Sequence, residues 1–165
     1  MDEVNLALLI LRVALGLTMA AHGINKIKGG MGGTAGWFDS IGMRPGKMHA
    51  WFAAGGEIGS GLLLAAGLLT SFAALGFVGL MTVAAVTVHL RNGFFITKEG
   101  WEYVFVLAAA AVSLAMLGPG EWSIDDALGI ADDLDGYVGL AISAGGGLLA
   151  AALMLGVFYR PPKNA

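Results

Sequence analysis

Five runs of close to twenty apolar residues each, at 6–24, 49–69, 72–90, 101–118 and 137–159, occupy most of this chain. A helix rising 1.5 Å per residue needs about 20 such residues to cross a bilayer. Hydrocarbon offers backbone N–H and C=O groups no partner, so each run must satisfy its own hydrogen bonds as a helix. The expected fold is therefore an all-α integral membrane protein in the lipid bilayer. Composition agrees, with 57% of the 165 residues hydrophobic and 13% charged, against roughly 45–50% and 25% in a soluble domain. There is no cysteine, which excludes disulfides, thiol redox chemistry and Cys-ligated metal centres. No basic patch suited to nucleic acid is present, and no metal site is expected.

The first run follows an acidic start, Asp2 and Glu3, and is interrupted by Arg12. A cleaved leader would begin basic and stay apolar, so this run reads as a permanent span. With Arg12 inside it, the other eight basic residues are Lys26, Lys28, Arg44, Lys47, Arg91, Lys98, Arg160 and Lys163. Five spans place all eight on one side; dropping any one span scatters them over both. The opposite side receives Asp2, Glu3, a Thr70–Ser71 turn and an acidic loop with Glu121, Asp125, Asp126, Asp132, Asp133 and Asp135. Basic loops stay cytoplasmic, so the expected topology is multi-pass with the N-terminus outside and the C-terminus inside.

The longest cytoplasmic connection, 25–48, opens on the glycine-rich stretch 29–33 and continues with Trp37, Phe38, Ile41 and Met43. Those aromatics predict a short helix at the membrane interface, an anchor before it is a gate. In the outer loop, Ser123 stands three residues before Asp126, an N-cap pattern.

Five ionisable residues lie in or at the ends of the first four runs: Arg12, His22, Glu57, His89 and Glu102. A charge in hydrocarbon costs at least ~2.5 kcal/mol, so each needs a partner or a task. Helical periodicity aligns Arg12 with Asn5, Met19 and Gly16, and Glu57 with Ala53, Ser60, Gly61 and Leu64. His89 accompanies Thr82, Ala85 and Val86, and Glu102 accompanies Val106, Ala109 and Ser113. The fifth run has no such stripe. The expected architecture is a four-helix bundle with the stripes inward and the fifth helix outside. Counted from the cytoplasmic ends, Arg12 lies about 18 Å deep and Glu57 about 12 Å, which predicts a buried Arg12–Glu57 ion pair that fixes helix register. His22, His89 and Glu102 form a second layer nearer the cytoplasm, with His49 and Lys26 close by.

In these residues the chain resembles the DoxX family of small bacterial membrane proteins with a four-helix core. The resemblance rests on Arg12 with Gly16, His22-Gly23 with Lys26, Phe38 and Gly42. It continues through Gly56-Glu57-Ile58-Gly59-Ser60-Gly61 with Leu64 and Gly67, then Gly93-Phe94, Gly100-Trp101-Glu102, Gly118-Pro119-Gly120 and Ser123-Ile124-Asp125. It covers residues 1–125 as a four-helix core and leaves 126–165, the acidic loop and fifth span, as an extension. The resemblance implies residence in the bacterial plasma membrane and a link to membrane redox chemistry, since its name-giving members are subunits of a quinol oxidase and of a thiosulfate:quinone oxidoreductase.

The first functional expectation is a quinone-linked redox subunit or accessory, with His22, His89 and Glu102 binding the quinone headgroup and exchanging protons. A b-type haem between His22 and His89 is the lesser variant. The alternative is a non-catalytic scaffold that docks on a membrane partner or on a second copy of itself through its glycine-rich faces. A small lipid or weak-acid transporter with Glu57 as proton carrier ranks third.

Overall fold

The computed structural model of the chain describes residues 2–161. Lys163, counted above with the basic side, lies outside the described residues. The first run becomes α1 (Asp2–Lys28), four residues longer at its C-terminal end than its apolar stretch. A short helix α2 (Met31–Ser40) precedes α3 (Gly46–Ala66). The third run is α4 (Thr70–Ala84), continued by a π-helical turn at Ala85–His89 and a 3-10 turn at Leu90–Asn92. The fourth is α5 (Glu102–Leu117). Two short helices, α6 (Ile124–Ala127) and α7 (Ala131–Leu134), sit in the acidic loop. The fifth run is a rod made of α8 (Gly136–Leu140), a π-helical segment at Ala141–Gly146 and α9 (Gly147–Phe158).

Three of these rods, Asp2–Lys28, Thr70–Asn92 and Gly136–Phe158, are long and apolar enough to cross a membrane by length and composition. α5 is apolar but shorter, and α3 is diluted by its glycines, His49 and Glu57. α1 packs on α3, α3 on α4, α4 on α5, and α5 back on α1, which closes a four-helix ring. α9 packs on α4 from outside, and α8 on α5. The chain is thus a four-helix transmembrane bundle with a fifth helix against its flank. Leu6, Ile10, Leu17, Phe72, Phe105, Leu117, Leu149 and Leu153 face outward, as hydrocarbon requires.

Glycine sets the tightest contact. Gly16 and Gly61 face one another, and a Cβ on either would strike the other helix's backbone. The same small-residue approach recurs at Gly23, where a Cβ would lie 3.1 Å from the Glu57 Cβ. Inside the ring, Met19, Leu64, Ala74, Phe77, Ala111 and Leu114 are buried together. Because the helices alternate in direction, Lys26, Lys28, Arg44, Lys47, Arg91, Lys98 and Arg160 gather at one end of the bundle.

Two local expectations change. The turn between α3 and α4 is made by residues 67–69, with Gly67 at φ 63° and Leu69 at φ 49°. Thr70 and Ser71 belong to the first turn of α4 and are 2% exposed. The aromatic connection does form a helix, but Phe38, Ile41 and Met43 turn into the bundle rather than toward lipid. They pack with Ala50, Val88, Met154 and Phe158, and only Trp37 stays half exposed. The cause is the end of the fifth helix. Met43 bridges Tyr159, Arg44 N–H donates to the Phe158 carbonyl at 3.3 Å, and Arg160 N–H donates to the Gly42 carbonyl at 2.8 Å. This short antiparallel pairing pins residues 42–44 under the bundle.

Candidate functional site

The intramembrane charges divide into two layers, but with partners other than those expected. In the layer beside the acidic loop Arg12 is 1% exposed, and its Nη2 donates to the Trp122 carbonyl. Its Nη1 fills the space where a Cβ on Gly67 would sit, so glycine is required there for room as well as for its positive φ. The countercharge acting on Arg12 is Asp125, itself 1% exposed. Asp125 Oδ1 accepts the Leu69 N–H at 2.7 Å, and Oδ2 accepts both the Thr70 N–H at 2.9 Å and the Thr70 hydroxyl at 2.7 Å. The carboxylate thereby caps the amino end of α4, where the helix dipole favours a negative charge. Ser123 caps α6 by accepting the Asp126 N–H at 3.1 Å, as its spacing predicts. Asn5 Oδ1 accepts the Glu121 N–H at 3.0 Å and ties α1 to the same loop. This layer is a lock on the acidic loop.

The expected Arg12–Glu57 ion pair does not form. Gly23 is the α1 residue level with Glu57, and it lies eleven residues from Arg12, about 16 Å along the axis, beyond the reach of an arginine. The apolar stretch of α1 ends at residue 24, but the helix runs on to Lys28, which sets Arg12 about 6 Å further from its C-terminal end. Glu57 pairs instead with Lys26, whose Nζ lies 2.7 Å from Oε1 and 2.6 Å from Oε2.

That pair stands in the wall of the second layer, at the basic end of the bundle, a cavity of about 670 Å³. Its apolar lining includes Met19 of α1, Phe38 of α2, Phe52 of α3, Leu80 of α4, Leu107 of α5 and Met154 of α9. Its polar lining is His22, Lys26, His49, Glu57, Thr87, His89, Glu99 and Tyr103. The Tyr103 hydroxyl and His22 Nε2 are 3.5 Å apart, and His89 Nδ1 lies 2.6 Å from the Glu99 carbonyl. With the proton on Nδ1, that contact leaves His89 Nε2 as an acceptor. His89 ends the π-helical turn, a deformation that redirects side chains and recurs at functional sites.

Of the three residues expected to meet a headgroup, His22 and His89 line the cavity and Glu102 does not. Glu102 Oε2 accepts the Ile96 N–H at 2.9 Å, and its own N–H donates to the Phe94 carbonyl at 2.9 Å, so it closes the α4–α5 loop. Among the described residues no three His, Cys, Asp or Glu side chains are grouped to hold a metal.

Over residues 7–90 the chain matches the family model described as DoxX. The chain belongs to the DoxX family. It is also 32% identical over 110 residues, 67% of this chain and 78% of the relative, to a protein of Bacillus subtilis (strain 168) named "Putative oxidoreductase CatD". No solved structure matches it. The DoxX match takes in Arg12, His22, Lys26, His49, Glu57 and His89, and stops before Tyr103 and the fifth helix.

Of the cavity's other polar residues, the sequence places Lys26 and His49 near the second layer without giving either a role, and it leaves Tyr103 out. Lys26 was visible as a basic residue just past the first span, and one further helical turn would have made it an inward partner for Glu57. Tyr103 sits one residue beyond Glu102 in the first turn of α5, about 100° around it, on the face that meets His22. His49 carried no signal of its own, since a histidine at a span end is ordinary.

Proposed function

We propose that this DoxX protein is a quinone-binding subunit, or accessory, of a membrane oxidoreductase. One observation carries the reading: an apolar cavity inside a membrane bundle has titratable side chains gathered in its wall. Its volume suits a small ligand, and a few convergent polar groups in an apolar wall are the usual form of such a site. The residues present fit a quinone, with apolar walls for the ring and tail, and Lys26, Tyr103, His22 and His89 as hydrogen-bonding groups for its oxygens. When bound, a quinone supplies two-electron, two-proton redox chemistry. Lys26, held by Glu57, offers ammonium protons as donors. Tyr103 can donate or accept. The imidazoles of His22 and His89 each have a ring nitrogen that can accept and one that can donate a proton, which suits them to the protons that accompany the electrons. The chain carries no cysteine, so the electrons are exchanged with a partner protein rather than with an iron–sulfur centre of its own. The relative's printed name, an oxidoreductase, is consistent with this class.

The end bearing Lys26, Arg44, Lys47, Arg91, Lys98 and Arg160 is cytoplasmic in this reading, and the Arg12–Asp125 layer faces outward. The experiment is extraction of the protein purified in mild detergent and identification of what it carries. A quinone in near-stoichiometric amount supports the proposal. Its absence, together with no binding of an added short-chain benzoquinone, would sink it.

A second reading draws on Gly55 and Gly59, one turn apart on the outer face of α3 with open space at both. Such a pair suits docking of a further transmembrane helix. Gly61, Gly146 and Gly147 are consumed by contacts within the chain. This scaffold role is compatible with quinone binding and is tested by whether a membrane protein co-purifies in fixed ratio.

A further inference from the structure

His49 is the one histidine of the cavity wall that the proposal above leaves without a task. It stands in the first turn of α3 and is 3% exposed. The rings of Phe158, edge-on at 5.0 Å between centroids, and of Phe38, at 6.3 Å, pack around it. One edge of the imidazole faces the backbone carbonyl of Arg44. Its Nε2 is buried with no hydrogen-bond partner. An unpaired polar atom buried in this way costs stability, and nothing in the packing compensates it.

The opposite helix offers it nothing. Ser60 faces Gly76, and Gly56 faces Leu80, across antiparallel α3 and α4. Continuing that register for two turns sets His49 about level with Thr87. The Thr87 hydroxyl is spent on the Val83 carbonyl at 2.8 Å, and His89 Nδ1 on the Glu99 carbonyl. A ring that gives its proton to a carbonyl on one edge presents a bare lone pair on the other. His49 therefore offers the cavity an acceptor, and a donor held in the cavity would satisfy it.

We propose that His49 Nε2 accepts a hydrogen bond from a ligand hydroxyl, so that the cavity holds a hydroquinone more tightly than the corresponding quinone. The inference rests on the quinone reading above and adds the redox state of the preferred ligand. Lys26 serves carbonyl and hydroxyl oxygens alike, because both have lone pairs. His49 distinguishes them. A hydroxyl completes its bond, whereas a carbonyl sets lone pair against lone pair.

The test uses the full chain in lipid nanodiscs under anaerobic conditions. Binding of a short-chain benzoquinone, and of the same compound chemically reduced, is measured by calorimetry. Wild-type protein should favour the reduced form about tenfold. His49→Phe should bring the two forms within about twofold by weakening the reduced form alone. His49→Met, which fills the site without a strong acceptor, is the second variant should the first fail to fold. Equal affinities in the wild type, or a preference that survives both substitutions, overturns the role of His49 and leaves the quinone site standing. If neither form binds wild-type protein, the quinone reading falls and this inference with it.

Discussion

Lys26 reaches both carboxylate oxygens of Glu57, at 2.7 and 2.6 Å, from the last turn of α1 to the middle of α3. With side chains 25% and 10% exposed, this pair is neither a surface contact nor a dry core pair. Removing one partner strands the other charge against an apolar wall. Lys26→Met or Glu57→Leu should each cost about 2–3 kcal/mol, the lower side of what broken buried pairs cost. The double variant should cost clearly less than the sum. Arg12→Met combined with Glu57→Leu should be additive within about 0.5 kcal/mol, since those residues share no contact. Reversible unfolding in mixed micelles measures both cycles. Coupling of Glu57 to Arg12 instead of Lys26 would refute the pairing.

Asp125 holds the other layer. It caps α4 through Leu69 and Thr70 and balances Arg12. Asp125→Ala removes three accepted hydrogen bonds and the countercharge together, for an expected loss of about 3–5 kcal/mol. Asp125→Asn keeps the shape and part of the capping and should lose less, about 1–3 kcal/mol. The sign is visible without thermodynamics: protease added from the side of the acidic loop should cut residues 118–130 faster in Asp125→Ala than in wild type.

The glycines divide by what faces them. Gly16→Ala places a methyl 2.7 Å from the Ala65 nitrogen and against the Gly61 carbonyl, so the two helices must part. A loss of about 1–3 kcal/mol is expected. Gly55→Ala and Gly59→Ala meet open space and should gain about 0.5–1 kcal/mol each in the isolated protein from better helix propensity. Thermal unfolding of the three variants separates the cases. Should Gly55→Ala also abolish retention of a co-purifying membrane protein, that face is an interface.

Much of this arrangement was legible in the sequence because hydrocarbon leaves little choice. Span number, the inward stripes of α1 and α3 and the outside place of the fifth helix follow from apolar length and from where the polar residues recur. The stripe read on the fourth run does not hold: Val106, Ala109 and Ser113 are exposed, because α5 turns its larger apolar face, Val104, Leu107, Ala111 and Leu114, into the bundle, and on the third run Val86 also faces out. What failed was depth. Apolar runs mark where hydrocarbon ends, but helices continue into the interface, and the extra turn of α1 delivers Lys26 to Glu57. The inward course of Phe38 and Met43 was illegible for another reason. It depends on residues 42–44 pairing with Tyr159 and Arg160 at the far end of the chain. Asp125 was hidden among six acidic residues in one loop, and nothing local marks it as the buried one.

Headgroup contacts and loop closure can be told apart by substitution. His22→Leu and His89→Leu should each weaken binding of a short-chain benzoquinone about five- to tenfold with the fold intact. Glu102→Gln should leave that affinity unchanged, because an amide oxygen still accepts the Ile96 N–H and the residue lies outside the cavity wall. Calorimetry on the three proteins decides. An effect confined to Glu102→Gln would return the headgroup to the start of α5.

The fifth helix lies beyond the DoxX match, yet Ala150, Ala151 and Met154 line the cavity. Ala150 is exposed on its outer side, so it stands at an edge of the cavity. Ala150→Phe adds a ring there without disturbing the packed Ala151, which is 1% exposed. Leu149→Phe, one residue away and 61% exposed, changes only the surface toward lipid. If this helix is a wall of the site, Ala150→Phe should weaken benzoquinone binding at least tenfold at unchanged thermal stability, and Leu149→Phe should do nothing. Equal binding by both variants would make the fifth helix an external brace, with the ligand held by the four-helix ring alone.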